Sequence, residues 1–433
     1  MNLQLNKYVY ISLFSAALIF CAGCISLQDN STEQIESNGA EISSNTIVEN
    51  RLPNSSDEYD IASANNEFAF EIYTDIKNTN KNVFFSPYSI FTAMAVCYEG
   101  AQESTKEQIG NAFNYPSNNS ILETSSKELM DTVNSDESDM NTANALWVQE
   151  EFPLNKQFVL NTKTYFNANV TNLDFDESEK SVSIINEWIK EKTNGKIDNV
   201  IDSISPNTPI IVTNTIHFKG EWVYEFDEKD NEEYAFYTSN GENPSVETMY
   251  NSQHYNYGEN QNAQIIELPY HGNLSMYIIL PKEKKMSNFE TIFSNEEYNN
   301  LKSTMDSEHL VNLWLPKFTF ETKYDLSEPL FDMGIVDAFG PSANFSGIYN
   351  TNISSGNYSL FLGKIIHLAV IDVEEKSTEA AAATVTSFTG SPPPGTEQSE
   401  IVEFKADHPF MFLIEDNRNN CIVFMGKLEK PTS

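Results

Sequence analysis

The chain has 433 residues with 63 acidic against 26 basic side chains, a formal net charge of −37 at pH 7. Such a surface meets nucleic acid, heparin-like polymers and anionic membranes against like charge, which disfavours all three as partners. Of the four cysteines, Cys97 and Cys421 are scattered through the body and make no disulfide framework. Buried free thiols are their default reading, and one bridge between them stays open.

Residues 1–23 read as an export signal, with Lys7 ahead of an apolar run to Cys21. That run is short of the roughly 20 residues a membrane span needs. Ala22-Gly23-Cys24 follows and is similar to the lipobox of prokaryotic lipoproteins. The similarity implies lipidation of Cys24 and an extracellular protein anchored to the outer face of the cell membrane. A cleaved signal with free secretion and an uncleaved anchor are the other two readings, and all three export the chain. Residues 24–59 are rich in Ser, Asn, Glu and Gln and read as a polar tether, so the folded domain spans 60–433.

Within it, Phe68-Ala69-Phe70-Glu71-Ile72-Tyr73 opens an amphipathic helix. Val83-Phe84-Phe85-Ser86-Pro87-Tyr88-Ser89-Ile90 reads as a strand end followed by a helix with Pro in its first turn, where Ser86 and Ser89 are locally caps. Asn144-Ala145-Leu146-Trp147-Val148 predicts a strand, and Ile184-Ile185-Asn186-Glu187-Trp188-Ile189 a helix closed by the turn Asn194-Gly195. Ile210-Ile211-Val212-Thr213-Asn214-Thr215-Ile216-His217-Phe218-Lys219-Gly220-Glu221-Trp222 predicts a long strand with a Gly break. Two buried strands flank His271-Gly272-Asn273 as a hairpin. Leu313-Trp314-Leu315-Pro316-Lys317-Phe318 is a further strand, and residues 326–345 follow, with Leu330, Met333-Gly334-Ile335 and Ala338-Phe339. The chain ends on Phe404-Lys405-Ala406-Asp407-His408-Pro409-Phe410 and Phe424-Met425-Gly426-Lys427.

The most informative stretch follows the buried strand Ile365-Ile366-His367-Leu368-Ala369-Val370-Ile371-Asp372-Val373. Glu375, Lys376, Ser377, Thr378, Glu379, Ala380, Ala381, Ala382, Ala383 and Thr384 can form a short helix, since Ala has the highest helix propensity. With period two, Thr378, Ala380, Ala382 and Thr384 fall on one uniformly small face. A segment that suits both an exposed loop and a buried strand is the mark of a switch. It runs on to Phe388, Thr389, Gly390, Ser391 and Pro392, in a proline-rich stretch that suits neither helix nor central strand.

Enzyme chemistry finds no anchor. There is no Gly-x-Ser-x-Gly elbow, no His-Glu-x-x-His, no Cys-x-x-Cys and no Gly-rich phosphate loop, so neither a metal nor a cofactor is expected.

Taken in order, these motifs resemble the serpin family over nearly all of residues 60–431. The resemblance implies an α+β fold with three β-sheets, eight or nine helices and an exposed reactive-centre loop. For residues 326–345 it implies the family's late helix and the loop after it. Ser86, Ser89 and Asn214 match the "shutter" beneath the main sheet. There the family pairs the matching His, here His367, with Asn214. Trp222, Lys317 and Glu375 match the "breach" at the sheet's top, and residues 375–384 the hinge. The implied function is inhibition of a serine protease by a monomer, by suicide trapping in which the cleaved loop inserts into the main sheet. Ser377 departs from the family's Gly, which leaves a second reading: a serpin fold that is cleaved as a substrate or serves as a binding protein.

Family counting makes Glu375 the seventeenth residue before the scissile bond, which would be Ser391–Pro392. Proline makes that bond a poor substrate. Gly390–Ser391 or Thr389–Gly390 is expected instead, for an elastase- or subtilisin-like target. Phe388–Thr389 is the reserve, for a chymotrypsin-like one.

Overall fold

The computed structural model describes residues 59–77, 81–134, 139–193, 195–205, 207–351, 360–376 and 401–431. Cys24, Ser377 to Thr384 and Phe388 to Pro392 lie outside the described residues.

Three sheets organise the chain. The main sheet has five strands in the spatial order Phe318–Asp325, Leu362–Val373, Ile210–Lys219, Asp139–Gln149 and Ala168–Leu173. A six-stranded sheet runs Val83–Phe85, Cys421–Leu428, Phe410–Asp416, Leu274–Pro281, Ala263–Pro269 and Tyr257–Glu259. A four-stranded sheet runs Ile401–Lys405, Leu310–Pro316, Ser245–His254 and Glu232–Ala235. Nine α-helices accompany them among the described residues. The expected α+β, three-sheet architecture is present.

The two central strands of the main sheet, Leu362–Val373 and Ile210–Lys219, are buried along most of their length, as their near-continuous apolar sequences require. Successive residues serve opposite faces. Ile210 and Val212 join Ile90, Phe91 and Met94 of the helix Pro87–Gly100. Ile211 turns the other way, with Trp147, Ile366 and Leu368, to meet Ile185 and Ile189 of the helix Ser178–Lys192.

The helix Pro87–Gly100 buries every residue but Glu99, so it is a core element rather than an amphipathic one. Its start is local chemistry: Ser86 caps it by accepting from the Ser89 N–H, and Pro87 takes the first helical position, where the missing N–H costs nothing.

Two readings change. The long strand through Trp222 stops at Lys219, and Trp222 makes only an isolated bridge to Tyr270. Gly220 is where the chain turns off, since a Cβ there would stand 2.4 Å from the rings of Phe218 and Tyr270. The open Cys97–Cys421 bridge is absent: both thiols are buried and free. Burial pushes the Cys97 thiol up to about 12, so it is inert at neutral pH.

Candidate functional site

Within the main sheet, two neighbouring pairs run antiparallel and two parallel; the parallel pairs are Leu362–Val373 with Ile210–Lys219 at the centre and Asp139–Gln149 with Ala168–Leu173 at the edge. The register of the central pair sets His367 beside Asn214. His367 Nδ1 lies 2.5 Å from Asn214 Oδ1, and the Ser86 backbone N–H donates to His367 Nε2 at 3.0 Å. An N–H cannot donate to a protonated nitrogen, so Nε2 is bare and the proton sits on Nδ1, which donates to Asn214. The imidazole is therefore neutral. Complete burial without a countercharge pushes its pKa down from 6.5 to about 3.

The network continues from Asn214. Its amide nitrogen donates to Ser89 Oγ at 2.5 Å, the Ser89 carbonyl at 2.9 Å and Asn144 Oδ1 at 2.5 Å. Asn144 donates in turn to Thr92 Oγ1, and Ser86 Oγ to the Val423 carbonyl at 2.6 Å. Three strands of the main sheet, the helix beneath them and a strand of the six-stranded sheet are thus joined by neutral, buried hydrogen bonds.

The second cluster sits at the end of Leu362–Val373. Trp222 Nε1–H donates to the Glu374 carbonyl at 2.9 Å, and the Phe226 N–H to the Glu375 carbonyl at 3.1 Å. The indole is fixed by stacking on Tyr270, with ring centroids 4.3 Å apart. Lys317 Nζ meets Glu375 Oε1 at 3.0 Å and Glu247 Oε2 at 3.7 Å. The Asn231 amide donates to both carboxylates. Burial works to raise the Glu375 pKa. The hydrogen bonds from backbone, Asn231 and Lys317 outweigh it and leave the pKa lowered. Glu375 is 5% exposed. The strand end is pinned through Glu374 and Glu375 before the chain passes beyond the described residues.

Sequence reasoning missed Asn144, Thr92, Asn231 and Glu247. Asn144 shares its strand with Asn141 and Gln149, so little marks it, and Asn231 and Glu247 lie among so many polar residues that nothing marks them. Among the described residues no cluster of His, Cys, Asp or Glu is placed to hold a metal, and no helix is long and apolar enough to cross a membrane.

The profile of the family described as Serpin (serine protease inhibitor) matches residues 63–431. A serpin-like protein of Methanosarcina acetivorans is 47% identical, with 98% of each chain covered. Human thyroxine-binding globulin, in complex with thyroxine, superposes with a TM-score of 0.77 at 28% identity, covering 87% of this chain and 99% of its own. The thermophilic serpin tengpin in its native state also gives 0.77 at 28% identity, covering 85% of this chain and 94% of its own.

Proposed function

The chain belongs to the serpin family, and from that premise we propose that it inhibits a serine endopeptidase as a suicide substrate. The observation that carries this reading is the parallel pair at the centre of the main sheet. The chain leaves Leu362–Val373 at the top and returns at Ile401–Lys405 on another sheet. A segment folding back from that top would run antiparallel to both central strands. It would replace one parallel ladder with two antiparallel ones, which are slightly more stable per residue.

The protease serine attacks the scissile carbonyl, its oxygen forms an ester with the loop, and the new amine terminus departs. The small face of Thr378, Ala380, Ala382 and Thr384 then enters the sheet and carries the acylated protease with it. About 16 residues at 3.3 Å each span roughly 50 Å, enough to reach the opposite pole. The target is elastase- or subtilisin-like, cutting Gly390–Ser391 or Thr389–Gly390, and the protein acts at the outer face of the membrane through a lipid on Cys24.

The test is incubation with pancreatic elastase, subtilisin and chymotrypsin. An SDS-stable complex is expected with one of the first two, releasing a C-terminal fragment that begins at Ser391 or Gly390. A fragment beginning at Thr389 makes the target chymotrypsin-like, and one beginning after Pro394 refutes the register. Ala382→Arg should still be cut but form no complex, because a long charged side chain would have to be buried unpaired.

Ser377, where the family pattern has Gly, favours a second reading: a serpin fold that is cleaved as a substrate or binds a ligand, as thyroxine-binding globulin does in its complex with thyroxine. Cleavage by every protease without any complex would establish it over the first.

A further inference from the structure

The outer face of the four-stranded sheet carries a hollow of about 350 Å3. Its shape follows from residue sizes on adjacent strands. Trp314 stands between Lys405 and Tyr250, and Tyr234 stands opposite Val246. Val246, Thr248 and Ala406 are too short to fill the space between the rings, so the walls are aromatic and the floor is low. Tyr234 and Tyr237 are 41% and 38% exposed, unlike the buried tyrosines of the core. Concave, ring-lined hollows with a few convergent polar groups are where small molecules bind.

The polar groups narrow the class. Lys405 Nζ lies 4.7 Å from the centre of the Trp314 ring, and Lys284 Nζ 3.5 Å from that of Tyr237. Lys405 lines the hollow itself, notable in a chain with 26 basic against 63 acidic side chains, whereas Lys284 sits beside it, against the Tyr237 ring. Each has a carboxylate beside it. Asp407 is committed, 3.2 Å from Lys284 and 2.7 Å from His408. The Lys405–Glu403 pair is 51% and 60% exposed at its two side chains, so Glu403 can yield its place at little cost. Lys405 is the donor open to a ligand's anion.

We propose that this hollow binds a small, flat aromatic carboxylate, with its ring among Trp314, Tyr234 and Tyr237 and its carboxylate on Lys405. The inference is independent of protease inhibition.

It is tested by calorimetric titration of the full chain with 2-naphthoate, against 2-naphthamide and 2-naphthylmethylammonium as neutral and cationic counterparts. Saturable one-site binding of naphthoate is expected, roughly tenfold tighter than that of the amide, with the cation weakest. Lys405→Met should erase the preference for the carboxylate. Ala235→Trp, at an exposed edge position lining the hollow, should block binding without disturbing the core. Absent saturation, undiminished binding in Ala235→Trp, a preference that survives Lys405→Met, or tighter binding of the cation would each overturn the proposal.

Discussion

One strand, Leu362–Val373, is fastened at two places by opposite means. At its middle, His367 is fully buried and held by neutral donors and acceptors. At its end, Glu375 is held by an ammonium, an amide and one backbone contact at the margin of solvent, with Trp222 holding the Glu374 carbonyl beside it. The difference follows from dielectric. Deep in the sheet an ion would carry a desolvation cost that no partner offsets, so His367 and the groups that hold it are uncharged and hydrogen-bonded to one another. At the margin water shares that cost, and a charge pair is tolerated. The middle should therefore respond to protons and to loss of a single hydrogen-bonding group, and the end to salt.

Acid should separate the two most strongly. His367 has a folded pKa of about 3 against an ordinary 6.5, so the unfolded chain binds its proton first. This contribution is whole above about 6.5 and is lost as pH falls towards 3, by on the order of 4 kcal/mol. Urea unfolding at stepped pH should show it as a loss that His367→Gln does not share. Equal pH dependence in both proteins would contradict the neutral tautomer.

Asn214→Ala comes next. It strands the His367 Nδ1–H and the Asn144 carbonyl oxygen in a dry interior, at a cost of roughly 3 kcal/mol. Denaturant unfolding at neutral pH measures it, and a loss below that of a surface substitution would mean the network is slack. Smallest is Lys317→Met at the strand end, about 1 kcal/mol, because Asn231 and the backbone still hold Glu375. Its deficit should shrink in high salt, whereas that of Asn214→Ala should not.

The same contrast explains what could be read from the sequence. The sheet strands were legible because β-branched runs and Gly–Pro punctuation are local signals, and the helix Pro87–Gly100 because its cap and proline are adjacent to it. His367, Asn214, Lys317 and Glu375 stood out as polar residues on apolar strands or in a recognisable motif. Asn231 and Glu247 did not, since their meaning lies in contacts with Glu375 across 144 residues and with Lys317. Lys427 was equally opaque. At the end of an apolar strand it reads as a solvated charge, yet it is 0% exposed and pairs with Glu290 at 3.0 Å, to which the Tyr73 hydroxyl also donates. Long-range pairing of this kind leaves no trace in neighbouring residues.

Lys317 has two carboxylates within reach, Glu375 on one side and Glu247 on the other. A cation so placed has degenerate partners. If Glu375 withdraws, the ammonium exchanges one acid for another by a turn of its own side chain, and no bare charge is left at the top of the sheet. The barrier to parting the central strands then resides with the uncharged cluster around His367, which has no substitute partner to turn to.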